Sequence, residues 1–383
     1  MSPDSTAADL SGLETPCLLL DRAVLARNAA RFQAIAQRFG VKLRPHLKTS
    51  KSLEVAAIAT AGDPAPSVTV STLAEAEYFA AAGYRDILYG VGMAPGKLAR
   101  AGRLLERTDL RLLLVTDNVA MAEAAAAAPQ PKRPFEFLIE IDCGDRRGGV
   151  PAQSAALLEV ARALTAGGRV ELAGVMTHAG QSYGTRDAAE IAAIAEQERA
   201  AAVGAAGRLR AAGFEPGIVS VGSTPTAAFV RDLTGVTEMR PGVYLFFDLD
   251  QLARGVCEPG DLALSVLGTV IGHNRAAGKL LLDCGGLALS KDRSAGAFLP
   301  DAGYGYLCDP ARLTRLGPLA VTAVSQEHGH VAVADTIWFE RLPVGSQVRV
   351  LPNHACFTAA AYPHYHLLDG GRVAGLWPRV NGW

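Results

Sequence analysis

The sequence predicts an α/β protein: a closed (β/α)8 barrel followed by a β-rich domain. Between residues 41 and 247, short apolar runs of strand length alternate eight times with segments of helical periodicity. Polar and glycine-rich motifs recur at one end of those strands, where barrels of this kind keep their chemistry. Beyond residue 250 helical periodicity becomes scarce, and β-type runs separated by Gly, Pro and Asp take over.

Each element has its own local reason. An apolar run over 13–21, broken by Pro16, leads into a helix over 23–39, where Val24, Leu25, Phe32, Ile35 and Phe39 recur near helical spacing and Gly40 supplies the stop. The first barrel strand is 41–43, closed by Pro45, which cannot donate to a sheet ladder. The second is 68–70, and the helix after it, 73–82, opens on Thr72 and Glu75 at capping-box spacing and ends at Gly83. Strands at 87–89, 110–115, 135–141, 170–177 and 218–221 follow, with helices at 95–105, 119–128, 154–164 and 188–212 between them. The eighth strand is 243–247, with 236–239 as a possible joined segment. The barrel is placed at 22–250. The β-type runs 262–273, 279–283, 319–324, 347–351 and 365–368 make a second domain at 255–383, completed by residues 1–21.

Composition narrows the class of function. The chain has 383 residues, 49% hydrophobic and 20% charged, with a formal net charge of -1, so neither a nucleic-acid surface nor a basic membrane-directed face is expected. The start MSPDSTAADL lacks the basic residues and apolar core of a secretory signal, and no window has the length of a membrane span. A cytoplasmic protein is expected. Six widely scattered cysteines argue against a disulfide framework and for reduced thiols or a metal ligand.

The strand ends carry the chemistry. After strand one comes Arg44-Pro-His-Leu-Lys48, which aims a lysine into the barrel mouth, although Lys48 and Lys51 read equally well as solvated charges. After strand five comes 142–149, which contains Arg147. After strand six come His178 and Tyr183, after strand seven Gly222-Ser-Thr-Pro-Thr226, and beside strand eight Arg240-Pro-Gly242-Val-Tyr244. Each motif alone is ordinary turn chemistry, but five on one rim make a site. A phosphate-binding position after strands seven and eight, facing a lysine after strand one, points to pyridoxal phosphate held by Lys48 as a Schiff base. A sugar-phosphate enzyme is the competitor, and it would leave the second domain unexplained.

In that second domain His354 and Cys356 stand two apart. On an extended strand they would share a side and could share a metal, zinc suiting imidazole and thiolate, although such a pair also arises by accident. His364 and His366 repeat the spacing, and Gln326-Glu-His-Gly-His330 adds a further polar cluster.

Taken with Ser71-Thr-Leu-Ala-Glu-Ala-Glu77, Thr177-His-Ala-Gly, Gly242-Val-Tyr-Leu-Phe-Phe-Asp248 and Pro352-Asn-His-Ala-Cys356, these motifs resemble the D-serine dehydratase and D-threonine aldolase group of fold-type III pyridoxal-phosphate enzymes, related to the alanine racemase N-terminal barrel. The resemblance runs nearly the whole chain. It implies that Lys48 carries the cofactor and that Gly222, Ser223, Thr224 and Gly242, with Tyr244 as a further contact, hold its phosphate. It places Arg147, His178 and Tyr183 around the ring or substrate, and a divalent metal, zinc first with manganese or magnesium as alternatives, at His354 and Cys356.

The His-x-Cys pair and the Gly-Ser-Thr-Pro motif resemble the branch of dehydratases that act on D-serine or D-threo-3-hydroxyaspartate. Ser50 differs from the histidine frequent in the lysine motif. The resemblance therefore implies a lyase that removes water from a small D-3-hydroxy-amino acid, with retro-aldol cleavage as the alternative and a racemase or a non-catalytic cofactor-binding protein as lesser ones. It also implies a homodimer.

Overall fold

The computed structural model describes residues 9–107 and 109–383; the polar start read above, up to Ala8, lies outside them. The chain forms two compact units. One runs from Ala30 to Gly242 and takes in Val380–Trp383; the other is Val243–Arg379 with the N-terminal stretch ending at Ala29.

The first unit is an eight-stranded parallel barrel: Lys42–Leu43, Ser67–Val70, Asp86–Gly92, Arg111–Thr116, Phe135–Asp142, Val170–Thr177, Ile218–Val221 and Glu238–Met239. The ring closes at strand one. On one side Lys42 and Leu43 pair with Glu238 and Met239, and on the other the main chain at His46 bridges to Thr69, with the Leu47 N–H donating to the Thr69 carbonyl at 2.8 Å. Leu88, Leu113, Val115, Leu138, Ala173, Met176 and Ile218 form a buried apolar cluster across the strands, which is what their near-continuous apolar runs predict for a parallel sheet covered by helices.

The helices start where the sequence has caps. The Thr72 side chain accepts from the Glu75 N–H, and the Glu75 carboxylate reaches back to the Ser71 N–H at 3.0 Å. Asp187 caps the longest helix, Ala188–Ala211. Its inward stripe is mostly alanine, which lets it lie close on the sheet, and the stripe carries one carboxylate, Glu198.

The eighth strand is a correction. The run 243–247 is not extended: Val243–Leu245 is a 3-10 turn, and the Phe246 and Phe247 N–H groups both donate to the Val243 carbonyl. Residues 243–247 are all buried, so their apolar character records a core position rather than a strand, an ambiguity inherent in short apolar runs. The strand itself is the two-residue Glu238–Met239.

The second unit is a nine-stranded sheet in the order Lys279–Leu282, Gly329–Ala332, Arg315–Val324, Tyr306–Cys308, Gln347–Leu351, Leu264–Asn274, Cys17–Asp21, His364–Asp369, Arg372–Pro378. Every pairing is antiparallel except that of Cys17–Asp21 with His364–Asp369. Three of these strands, 306–308, 329–332 and 372–378, carry no sequence signal strong enough to predict them. No helix among the described residues is long and apolar enough to cross a membrane.

Candidate active site

Within the barrel unit, one cavity of about 350 Å3 opens at the carboxyl ends of the strands. His46, Lys48, Ser71, Glu140, Arg147, Met176, His178, Gly222 and Arg240 are among the residues that line it. Four of the residues predicted from sequence, Lys48, Arg147, His178 and Gly222, thus share one wall. Lys48 follows strand one, and its N–H lies 3.4 Å from His46 Nδ1. The second lysine of the motif has a different fate: Lys51 Nζ pairs with the buried Glu75 carboxylate at 3.2 Å and fastens the turn to the helix Leu73–Ala81 that follows strand two.

Three cationic side chains, Lys48, Arg147 and Arg240, face a single carboxylate, Glu140, in this lining. Arg147 Nη2 lies 3.3 Å from that carboxylate. Both histidines are neutral. Burial, then the neighbouring Lys48 and Arg240 cations, push the His46 imidazole well below its ordinary value; burial, then Lys48 and Arg147, bring His178 down to about 3. The cavity is therefore a positive recess walled by uncharged rings, which suits an anionic aromatic ligand.

The loop after strand seven closes one side. Gly222 has φ of 135°, and a Cβ there would come 2.7 Å from the Arg240 backbone nitrogen, so no side chain fits. A Cβ on Gly242 would meet the His46 carbonyl at 2.9 Å. Ser223 caps the short helix Thr224–Phe229 in a capping box with Thr226 and also meets Ser182 Oγ at 3.0 Å. Thr224 Oγ1 accepts the Gly242 N–H at 3.3 Å, which ties the strand-seven loop to the strand-eight loop. The Gly222 N–H donates to Glu198, so what Gly222 gives the cavity is the room left by its missing side chain.

Of the other predicted residues, Ser223, Thr224 and Gly242 stand in the loops just described but not in the cavity lining, and two lie elsewhere. Tyr183 sits in the 3-10 turn Gly180–Gly184 with its ring centroid 6.4 Å from that of His178, and it is not in the cavity wall. Tyr244 is fully buried in the other compact unit, where burial raises its phenol above the ordinary range. Sequence reasoning assigned no role to His46, Glu140, Arg240 or Glu198. The first three stand inside or beside quoted motifs. Glu198 had one signal, an acid in register with the buried alanines at 195 and 202 of its helix.

The second unit holds the His354 and Cys356 pair, although not on one strand as expected. His354 has an extended backbone, and Cys356 lies in the first turn of the helix Ala355–Ala360, because the Asp248 carboxylate accepts the Ala355 N–H at 2.9 Å and starts that helix. The two side chains still meet. His354 Nδ1 lies 3.1 Å from Asp292 Oδ2, and both Asp292 and the Cys356 thiol hydrogen-bond the ring. Burial opposes the imidazolium, yet those two partners and nearby Asp248 hold its pKa well above the ordinary value. Phe357 packs edge-on to the ring at 4.6 Å. His364 and His366 instead meet edge to face with ring centroids 5.1 Å apart, and His330 bonds Ser325. Among the described residues no group of three or more His, Cys, Asp or Glu side chains is arranged to hold a metal ion, and none of their cysteines is in a disulfide.

Two family models match the chain. Residues 20–250 match the model of the alanine racemase N-terminal domain, and residues 263–368 match that of the serine dehydratase domain. The chain is 46% identical to a D-threo-3-hydroxyaspartate dehydratase of Delftia sp., over 97% of this chain and 98% of that one. A structure of D-threo-3-hydroxyaspartate dehydratase, a cysteine-to-alanine mutant in the metal-free form, superimposes with a TM-score of 0.93 at 44% identity over 98% of this chain and 99% of that one. A D-serine dehydratase of Dictyostelium discoideum is 29% identical over 94% of this chain and 95% of its own length. A 3-hydroxy-D-aspartate aldolase of Paracoccus denitrificans is 29% identical over 98% and 94%.

Proposed function

The chain belongs to the fold-type III pyridoxal-phosphate family that joins an alanine racemase N-terminal domain to a serine dehydratase domain, and from that premise we propose that it is a D-3-hydroxy-amino-acid dehydratase. It converts D-serine, D-threonine or D-threo-3-hydroxyaspartate into a 2-oxo acid and ammonia. The observation that carries the reading is Lys48 in one cavity wall with Arg147, His178 and Gly222, in a chain 46% identical along nearly its whole length to such a dehydratase.

The cavity fits the cofactor on three counts. It has an amine in its lining, an excess of cations for a phosphate and a ring oxygen, and a glycine, Gly222, whose added Cβ would clash with backbone. We assign the cofactor to the barrel, 22–250, with Lys48 as its covalent anchor, Gly222, Ser223, Thr224 and Gly242 around its phosphate, and His178 and Arg147 against its ring. Tyr183 and Tyr244 stand as outer contacts. Bound there, pyridoxal phosphate supplies the electron sink that makes the substrate Cα proton acidic.

The protein's own groups do the rest. Lys48 Nζ, in the cavity lining, would be the base that takes the substrate Cα proton. His178, held toward its neutral form by burial and by Lys48 and Arg147, adds no charge against the ring. Arg147 orients either the ring oxygen or the substrate carboxylate.

We assign a divalent ion, zinc first with manganese or magnesium as alternatives, to His354 and Cys356 in the β-rich domain, 255–383 with 1–21. The donors support this: imidazole and thiolate suit zinc, and the Asp292 carboxylate on His354 Nδ1 is the kind of partner that orients a metal-binding imidazole. The relative whose cysteine mutant was determined metal-free supports it too. Such an ion supplies Lewis-acid pull on a hydroxyl that is otherwise a poor leaving group. The reading carries with it a cytoplasmic homodimer.

Incubation with each of the three D-amino acids, measuring 2-oxo acid and ammonia against glycine and aldehyde, tests the reaction. Glycine as the sole amino product would replace the dehydratase by the aldolase reading, which the Paracoccus relative favours.

A further inference from the structure

We infer that Glu198, which touches neither the cavity nor anything bound in it, is the positioning residue that sets the cofactor's ring contact and its phosphate loop in one piece. Glu198 projects from the helix Ala188–Ala211, between strands six and seven, and is buried. Its Oε1 accepts the Ala179 N–H at 3.1 Å, the Gly222 N–H at 3.0 Å and the Thr177 hydroxyl at 3.2 Å; its Oε2 accepts the Thr226 hydroxyl at 2.8 Å. Thr177 and Ala179 flank His178. Thr226 in turn accepts the Ser223 N–H at 3.1 Å.

One carboxylate therefore holds both neighbours of the ring-contacting histidine, the glycine that lines the cavity, and the hydroxyl that shapes the loop beyond it. His178 Nδ1 then meets the Gly222 carbonyl at 3.2 Å, which closes the circuit. A buried carboxylate is costly, and on a helix face otherwise lined by alanine an apolar side chain would pack without that cost. Glu198 is useful there because two backbone N–H groups at adjacent strand ends need one acceptor, and a loop preorganised by it presents its phosphate-facing atoms without further ordering.

This inference rests on the reading that the 222–226 loop holds the phosphate, and the test separates the two. Full-length apoprotein is titrated with pyridoxal 5'-phosphate and with pyridoxal, which lacks the phosphate, and the ratio of the two Kd values gives the phosphate preference. In the wild type the phosphorylated form binds about a hundredfold more tightly or better. Glu198→Ala reduces that ratio about tenfold or more, whereas Glu198→Gln, whose Oε1 keeps three of the four bonds, stays within about threefold of wild type. A purely structural role would lower the melting temperature of the apoprotein and leave the ratio alone.

If Glu198→Ala does not fold, Thr226→Val carries the test, since it cuts the link from the carboxylate to Ser223 and is expected to lower the ratio. An unchanged ratio in the folded variant overturns the inference. A wild type with no preference for the phosphorylated form removes the phosphate assignment itself and the inference with it.

Discussion

His178 Nδ1 lies 3.2 Å from the Gly222 carbonyl oxygen. A neutral imidazole satisfies that contact by donating from Nδ1, which leaves Nε2 as the unprotonated nitrogen. Burial first, then Lys48 and Arg147, bring the His178 pKa down to about 3 from 6.5. Between those two values the unfolded chain binds a proton that the folded one excludes, so stability present above about pH 6.5 drains away as the pH falls toward 3. The slope from one such group is about 1.4 kcal/mol per pH unit. Apoprotein melting temperatures at pH 7.5 and 5.5 should fall more steeply for wild type than for His178→Asn, which cannot titrate. Equal slopes would show that His178 titrates in the fold as it does in the unfolded chain.

Lys48 is the single amine that the proposed function cannot lose. Borohydride reduction of the holoprotein followed by peptide mapping should place the added mass on the peptide that contains Lys48 and not on Lys51, which is engaged with Glu75 at 3.2 Å. Lys48→Ala should lose the visible band of the lysine-bound cofactor and all turnover while keeping the wild-type melting temperature of the apoprotein to within a few degrees. A band that survives the substitution would move the anchor elsewhere.

The His354 and Cys356 pair makes the opposite prediction. Replacing either with Ala should spare the cofactor band and abolish 2-oxo acid formation by a factor of about a thousand or more, several kcal/mol of Lewis-acid assistance being at stake. Chelation should do the same to wild type, with zinc, manganese or magnesium added back one at a time to identify the ion. Full turnover in a preparation shown to be metal-free would exclude the assignment.

What the sequence made legible follows from how each element is buried. Strands such as Phe135–Asp142 and Val170–Thr177 are covered on both faces and read as apolar runs, and the motifs that follow them are polar, so the barrel and its active rim were readable together. The strand Arg372–Pro378 is almost wholly exposed and so has no apolar period to read, and Tyr306–Cys308 is too short to show one. The run 243–247 misled because burial, not extension, makes it apolar. Lys48, Arg147, His178 and Gly222 could be found from their place after a strand. Glu198 could not, because its hydrogen bonds go to backbone and hydroxyls remote in sequence, and one of three acids in an alanine-rich helix otherwise reads as part of a solvated face.

The last prediction concerns the barrel's closure. Arg44, after strand one, is buried with its Nε 2.9 Å from both Glu238 oxygens on strand eight, and its two Nη atoms reach Asp86 on strand three at 2.8 and 3.1 Å. Glu238 also accepts the Ser220 hydroxyl, and Ser220 accepts from Arg240 of the cavity wall at 2.8 Å. The seam where the ring joins is therefore polar, and strand eight, only two residues long, has few backbone bonds to hold it otherwise. Removing Glu238 leaves the buried Arg44 with Asp86 as its remaining carboxylate and takes the acceptor from Ser220, so Glu238→Ala should cost about 3 kcal/mol by urea denaturation of the apoprotein. The double variant Arg44→Met with Glu238→Leu should cost less than the sum of its two single changes, since the one charge it strands is Asp86, which is partly exposed and has Lys42 at 4.0 Å. Because Arg240 leans on the same network, Glu238→Ala should also weaken cofactor binding, and a variant that loses stability with an unaltered cofactor Kd would uncouple the seam from the site.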